Sequence, residues 1–317
     1  MNATERTIFE QFPFWGTAPM PPPDHDRGTV HVVIGCGTSF YLAQTVAAAF
    51  NEAGKQAIAV TGGEWWHRPE YYLAPGTKAH VIALSRSGES TETVRAAERS
   101  RAAGDHVTAL TCAANSSITR HADDVMFAPT HAEEDVVMTA SASLMLLMGL
   151  RMAGITVDAA TTAAAEALLA ATDKAANGLL EGRTHFVFLG GGALQGIAAE
   201  GALKLQEMST SYTQAYPTLD YRHGPITLVD ERTLAVLLYS PDGRGEEANL
   251  AREITDKGGR VLGIGGPGTV RLDPAGDARV RPLVVLPALQ VFGERQAQLK
   301  GLDTRSPRNL SKVILLA

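Results

Sequence analysis

Hydroxyl side chains cluster at two points in the first half of the chain, each directly after a short apolar run. The stretch "GCGTSF" carries Thr38 and Ser39, and the stretch "SRSGES" carries Ser85, Ser87 and Ser90. A helix that begins after a strand presents free N–H groups and a partial positive charge, and nearby hydroxyls complete a phosphate site. The same residue types are also favoured as helix N-caps whatever the function. Their number at two junctions of one half favours a bound phosphate.

The second half of the chain offers a comparison for these junctions. Its corresponding stretches, "GGGALQG" and "YSPDGR", contain almost no hydroxyls. Neither "GCGTSF" nor "GGGALQG" has the G-x-G-x-x-G spacing of dinucleotide sites, and the G-x-x-x-x-G-K-[ST] pattern does not occur in the chain, so a dinucleotide is disfavoured. One half is therefore predicted to bind an anion, and the other is free for a different task.

Acid–base chemistry is suggested by a polar stripe and a histidine in the second half. Glu200, Lys204 and Glu207 fall at i, i+4 and i+7 and share one helix face. An exposed, salt-bridged stripe would have the same pattern. His223 precedes Gly-Pro, a rigid turn that would fix the imidazole on a loop. A carboxylate and an imidazole near one phosphate site are the groups that proton transfer at neutral pH needs.

Composition limits the class of protein. The 317 residues are 45% hydrophobic and carry a formal net charge of −6, which argues against sequence-independent binding of nucleic acid. Two cysteines are too few for a disulfide framework, and the N-terminus lacks a signal-peptide pattern, so we expect a cytosolic protein without a membrane span. No histidine spacing typical of metal sites occurs, and we expect catalysis without a cofactor.

The elements that position these groups alternate between strand and helix. Short β-branched runs such as "VHVVIGCG" and "THFVFLGGG" end in glycine and are followed by helical patterns. This alternation predicts an α/β fold with doubly wound parallel sheets. The order repeats after a break near residues 155–180, where an Ala-rich stretch is interpreted as a linker helix. "SSITRHA" is also interpreted as helical.

Five stretches together resemble the sugar isomerase (SIS) domain family: "GCGTSFYLA", "ALSRSGESTETV", "EGALKLQEMS", "YRHGP" and "PRNLSK". Within it, the chain is similar to the isomerase half of glucosamine-6-phosphate synthase and to free-standing amino-sugar phosphate deaminases and isomerases. Nothing similar to the synthase's glutaminase half precedes residue 30. The resemblance implies two tandem SIS domains with these limits: an N-terminal segment 1–25, SIS domains 26–157 and 158–290, and a C-terminal tail 291–317.

The resemblance also implies roles for individual residues. Glu207 would move a proton between C1 and C2 of the open-chain sugar, and Lys204 would support the charge balance beside it. His223 would assist ring opening from a neighbouring subunit, which implies a homodimer. Lys312, which nothing in the residues alone selects, would form a Schiff base with a keto sugar under a tail that acts as a lid. The sugar phosphate would be bound by Thr38, Ser39, Ser85, Arg86, Ser87 and Ser90.

Two positions depart from the family pattern. Arg86 stands where the synthase has Gln, which adds a charge near the phosphate, and Ala140 stands where relatives carry Lys or Arg. The leading hypothesis is conversion of a hexosamine 6-phosphate to a ketose phosphate and ammonia. The alternatives are a deglycase of 6-phosphofructosamines and a sugar-phosphate sensor without catalysis. A sensor would have no need of Glu207 and Lys312.

Overall fold

The computed structural model describes residues 1–22 and 30–316, which form two compact units. The first unit contains Glu10–Val157 and the C-terminal residues from Ser311 onward. The second unit contains Met1–Phe9 and Asp158–Leu310. The C-terminal segment therefore belongs to the same unit as the hydroxyl junctions.

Each unit is built on one five-stranded sheet, and every strand pairing in both sheets is parallel. The strands of the first unit are β1 (Val30–Gly35), β2 (Ala57–Thr61), β3 (Ala79–Leu84), β4 (His106–Thr111) and β5 (Asp124–Phe127). Those of the second unit are β6 (His185–Gly190), β7 (Thr213–Pro217), β8 (Thr233–Leu238), β9 (Arg260–Ile264) and β10 (Val270–Leu272).

The two sheets have the same topology. The first has the order β2-β1-β3-β4-β5, and the second has the order β10-β9-β8-β6-β7, which is the same sequence of strands taken from the other edge. The central strands are buried along their whole length, as is typical of parallel sheets covered on both faces. The predicted α/β fold with two doubly wound parallel sheets is confirmed.

Helices follow the strands in both units. In chain order they are α1 (Ala3–Phe9), α2 (Phe12–Trp15), α3 (Thr38–Glu52), α4 (Gly62–His67), α5 (Thr91–Ala102), α6 (Ala140–Met152), α7 (Ala159–Leu180), α8 (Ala193–Ser209), α9 (Arg244–Asp256) and α10 (Arg281–Leu299). Helix α6 is buried on almost every side, as its largely apolar sequence predicts.

Three elements differ from the sequence interpretation. The Ala-rich helix α7 is not a linker, because it packs against α10 within the second unit. The segment Ile118–His121 forms a short 3₁₀ turn instead of a helix. Residues 291–299, assigned to the tail from sequence, continue helix α10 to Leu299. The irregular part of the chain therefore begins after Leu299.

The domain limits inferred from the resemblance stay a prediction, and the limit between residues 25 and 26 lies outside the described residues. Among the residues that the structure describes, no helix is both long and apolar enough to span a membrane.

Candidate active site

The hydroxyl residues of the first unit lie at the point where the order of the strands in its sheet reverses, between β1 and β3. Strand β1 pairs with β2 on one side and with β3 on the other, so the helices after β1 and β3 leave toward opposite faces of the sheet. Ligands of open parallel sheets bind in the crevice beyond the carboxyl ends of such neighbouring strands. The two hydroxyl stretches follow β1 and β3, and no other pair of junctions in this sheet has that relation.

The first junction is shaped by two glycines. A Cβ atom on Gly35 would lie 2.6 Å from the carbonyl carbon of Ser39, so the strand end and the helix approach more closely than a side chain allows. Gly37 has a φ of 54° and is the N-cap of α3. The cap is thus a glycine, while Thr38 and Ser39 lie buried in the first turn. Capping therefore does not account for these two hydroxyls.

The second junction is a tight loop over residues 85–90. Oγ of Ser85 accepts a hydrogen bond from the Gly88 N–H at 3.1 Å, and Oγ of Ser87 accepts one from the Glu89 N–H at 3.2 Å. Both oxygens keep an O–H that can donate to an anion. Ser90 is the N-cap of α5, and its side chain makes no capping hydrogen bond in the described structure.

Gly88 sets the shape of this loop. Its φ is 65°, and a Cβ atom there would lie 2.0 Å from Oγ of Ser116. Replacement of Gly88 by alanine is expected to lower the free energy of unfolding by about 3 kcal/mol, since backbone strain adds to the clash, and to weaken inorganic phosphate binding about tenfold or more. Urea unfolding and calorimetric titration with phosphate measure the two effects.

The matched control is Gly76→Ala, which has a φ of 84° but nothing within 4 Å of the added Cβ atom. It carries the backbone strain alone, about 1–2 kcal/mol. Equal losses of stability in the two variants would show that contact with Ser116 is unimportant.

The C-terminal segment lies against the second junction. The Thr91 N–H donates to the carbonyl of Ile314 at 3.3 Å, and the Leu316 N–H donates to Oγ1 of Thr91 at 3.1 Å. Nζ of Lys312 donates to the Glu134 carbonyl at 3.2 Å and lies 3.4 Å from a carboxylate oxygen of Asp135. Lys312 is therefore brought together with the hydroxyl loop, half exposed and held by the turn before α6.

Arg86 is buried, and its side chain reaches the same turn. Its guanidinium donates to the carbonyls of Asp135 at 2.6 Å and Val136 at 3.2 Å, and to the carbonyl of Lys312 at 2.9 Å. The carboxylate of Glu134 lies 3.6 Å away. The added positive charge is thus engaged by protein groups, and a role for Arg86 in sugar binding stays a prediction.

Glu134 is a residue that the sequence analysis missed. Its carboxylate is fully buried and accepts hydrogen bonds from the Thr139 and Ser141 backbone N–H groups and both hydroxyls, at the start of α6. Burial, together with this carboxylate, raises the pKa of the nearby Cys112 thiol. An acidic residue shortly before "MTAS" is the signal that could have indicated a capping carboxylate.

The polar stripe of α8 lies in the second unit and is buried. Lys204 is 1% exposed and Glu200 is 0% exposed, and their charged atoms lie 3.6 Å apart. Nζ of Lys204 also donates to the carboxylate of Glu207, whose side chain is 17% exposed. The exposed salt-bridged alternative is therefore excluded. Of the three, Glu207 is the group that reaches solvent.

His223 lies on an exposed loop of the second unit. Its backbone N–H donates to the Asp220 carbonyl at 2.9 Å, and Gly224 follows with a φ of 126°. Arg222 ties this loop to α9 through a two-pronged contact with the carboxylate of Glu253, at 2.9 and 3.0 Å. The backbone around the imidazole is thus anchored while the ring itself faces solvent.

The corresponding reversal point of the second sheet, between β6 and β8, contains a carboxylate of its own. Glu247 of α9 is 3% exposed and accepts hydrogen bonds from the Ser240 N–H at 2.9 Å and its hydroxyl at 3.1 Å. Burial raises the pKa of Glu247, and the Ser240 hydrogen bonds oppose this shift. Gly192, with a φ of 54° and a ψ of −129°, repeats the backbone conformation of Gly37. The junctions after β1 and β6 therefore share a backbone conformation, and the buried carboxylate of Glu247 lies at the junction after β8.

Comparison with known proteins identifies relatives over most of the chain. The SIS domain family model matches residues 31–153 and 179–281. The chain is 30% identical over 330 residues to glutamine–fructose-6-phosphate aminotransferase (isomerizing) of Caulobacter vibrioides, which covers 92% of this chain and 53% of that protein. The Thermus thermophilus protein of the same name is 29% identical, with 93% and 53% covered. The chain spans about half the length of these curated relatives.

Solved structures support the same assignment. Glucosamine-6-phosphate deaminase of Thermotoga maritima superposes with a TM-score of 0.88 and 26% identity, over 99% of this chain and 100% of that one. Tagatose-6-phosphate ketose/aldose isomerase of Escherichia coli gives a TM-score of 0.81 at 23% identity, over 95% and 93% of the two chains, and supports the fold alone. The family match covers well over half of the sequence, and the chain belongs to the SIS domain family.

Proposed function

We propose that this chain is an enzyme that converts a hexosamine 6-phosphate, with glucosamine 6-phosphate as the first candidate, into a ketose 6-phosphate and ammonia. The observation that carries the proposal is the Lys204–Glu207 pair, in which a buried ammonium holds a carboxylate that reaches solvent. A carboxylate fixed in this way is suited to remove a proton from carbon. The match to the Thermotoga deaminase over nearly the whole chain favours an amino sugar.

The proposed chemistry is a proton transfer followed by hydrolysis. In the open-chain amino aldose, Glu207 takes the C2 proton, the C2–H electron pair forms a C1=C2 double bond, and the C1 oxygen gains a proton. Return of the proton to C1 moves the double bond to C2 and nitrogen, giving an imine. The deprotonated amine of Lys312 then adds to C2 and ammonia leaves, which gives the Schiff base between Lys312 and the keto sugar. Water adds to C2 of this Schiff base and the lysine amine leaves, so the ketose forms with one water consumed and no oxidant or reductant needed.

The remaining residues have assigned parts in this proposal. Thr38, Ser39, Ser85, Ser87 and Ser90 bind the phosphate with the free N–H groups of the two helix starts, a type of site that needs no cluster of basic residues. This suits a chain whose formal net charge is −6.

Two further groups act on the sugar carbons in the proposal. Lys312 forms the Schiff base with the keto sugar, for which its Nζ must leave Asp135 and the Glu134 carbonyl. His223 opens the sugar ring. The exposure of His223 is consistent with its serving the site of a second copy, and we propose a homodimer on that ground.

The proposal is tested with a panel of phosphorylated sugars and NMR of the products. Glucosamine 6-phosphate is expected to yield ammonia and a ketose 6-phosphate. Inertness toward it, with turnover of fructoselysine 6-phosphate, would instead establish the deglycase. Failure of every sugar to exchange a C1 or C2 proton with deuterated water would indicate a sensor and contradict catalysis.

A further inference from the structure

We propose that Arg86 is a positioning residue that holds the C-terminal segment closed over the hydroxyl loop and thereby places Lys312. This inference rests on the proposed function for the role of Lys312, and on geometry alone for the closure. Arg86 lies in the hydroxyl loop itself, so its side chain was the natural candidate for a phosphate ligand. Its guanidinium instead joins three separate parts of the first unit.

The three parts meet at one buried cation. The backbone of Arg86 is fixed at the sheet edge, because its carbonyl accepts from the Cys112 N–H at 3.1 Å and from Oγ1 of Thr111 at 3.3 Å. One terminal guanidinium nitrogen donates to the carbonyls of Asp135 and Val136, and the other donates to the carbonyl of Lys312. The side chain is 8% exposed, and the Glu134 carboxylate beside it is 0% exposed.

An arginine is chemically required for this bridge. The planar guanidinium carries five N–H donors that point in fixed directions, so it can donate to two chain segments at once. Glutamine has only one donor nitrogen, and lysine concentrates its donors on one atom. Arg86→Gln and Arg86→Lys are therefore both expected to lose the contact with the Lys312 carbonyl.

The residues after Lys312 are held in place only weakly apart from the contact between Arg86 and the Lys312 carbonyl. Beyond Lys312, the chain is held by the two hydrogen bonds with Thr91, which are partly exposed and weak individually. Lys312 is the link between these bonds and the turn before α6, since both its carbonyl and its Nζ are engaged. Release of the carbonyl is expected to free the segment as a unit.

Hydrogen exchange reports the closure directly. In Arg86→Gln, the Thr91 and Leu316 amides are expected to exchange about tenfold faster or more, because opening of the segment exposes both N–H groups. With glucosamine 6-phosphate, kcat is expected to fall about tenfold or more, while KM and the Kd for inorganic phosphate change by no more than about threefold.

Three further variants sharpen the test. Arg86→Lys keeps the charge beside Glu134 and is expected to behave like Arg86→Gln. Thr91→Val removes the acceptor for the Leu316 N–H without touching the buried ion pair, and is expected to speed Leu316 exchange even if Arg86→Gln fails to fold. Arg101→Gln, on the exposed face of α5, is expected to leave exchange and kinetics unchanged.

The outcomes separate this proposal from the function. Unchanged exchange in Arg86→Gln, or loss of phosphate affinity with the amides still protected, would overturn the positioning role. If the Arg86→Gln amides exchange fast but the unaltered protein turns over no sugar, the role of Arg86 in closing the segment stands and the proposed reaction is rejected.

Discussion

Replacement of Glu207 by glutamine is expected to lower the rate of C2 proton exchange with deuterated water about 10³-fold, within the range that removal of a general base produces. Glutamine keeps the shape of the side chain and a carbonyl that can accept from Lys204, but it has no oxygen basic enough to take a proton from carbon. Exchange is followed by proton NMR during incubation with glucosamine 6-phosphate in deuterated buffer, which detects enolisation even where ammonia release is slow.

Phosphate binding separates this effect from misfolding. Glu207→Gln is expected to leave the Kd for inorganic phosphate within about threefold, because the hydroxyl junctions belong to the first unit. Glu166→Gln, on the exposed side of α7 in the second unit, is the matched control and should retain full exchange. If Glu207→Gln keeps more than about a tenth of the exchange rate, another group removes the proton and the proposed mechanism fails.

Replacement of Lys204 by methionine is expected to cost about 3–5 kcal/mol of folding free energy, the usual result of removing one partner from a buried ion pair. Methionine fills a similar volume, so the loss reflects charge instead of packing. The buried carboxylate of Glu200 would lose the ammonium that lies 3.6 Å from it. Urea unfolding followed by circular dichroism measures the change.

Two variants test the electrostatic explanation. Lys257→Met alters an exposed lysine of the same unit and is expected to change stability by no more than about 0.5 kcal/mol. The double variant Lys204→Met with Glu200→Leu removes both buried charges, and most of the lost stability should return. If the double variant is as unstable as the single one, the stripe stabilises the helix by packing and the charges are incidental.

Much of the fold could be predicted from local sequence patterns. Strand runs that end in glycine and are followed by amphipathic helices predict parallel sheets, and both sheets are present. Helix α10 was missed over residues 291–299 because it is buried on most sides and has Pro287 in its interior. Such a helix lacks the single apolar face that periodicity detects.

For the candidate site, spacing predicts which residues share a helix face, but it does not predict what surrounds them. Spacing alone places Glu200, Lys204 and Glu207 on one helix face, but only packing shows that Glu200 and Lys204 are buried. Helix α10 packs against α8 at this level, since a Cβ atom on Gly293 would lie 2.9 Å from the Lys204 carbonyl. The direction of the Arg86 side chain could not be predicted either. It depends on the turn at 134–136 and on the C-terminal segment, both distant in sequence.

The carboxylate of Glu247 has a consequence for how the duplicated fold is used. The two sheets have the same topology, but at the reversal point of the second sheet the buried carboxylate of Glu247 already accepts the hydrogen bonds of Ser240. We therefore expect one phosphorylated molecule to bind per polypeptide, at the first unit, in spite of the internal symmetry of the chain. Because burial raises the pKa of Glu247, the contribution of this carboxyl group to folding stability falls as pH rises from about 4.5 through the raised value and is constant above it. Keeping this carboxyl group buried therefore lowers folding stability most at pH values above its raised pKa.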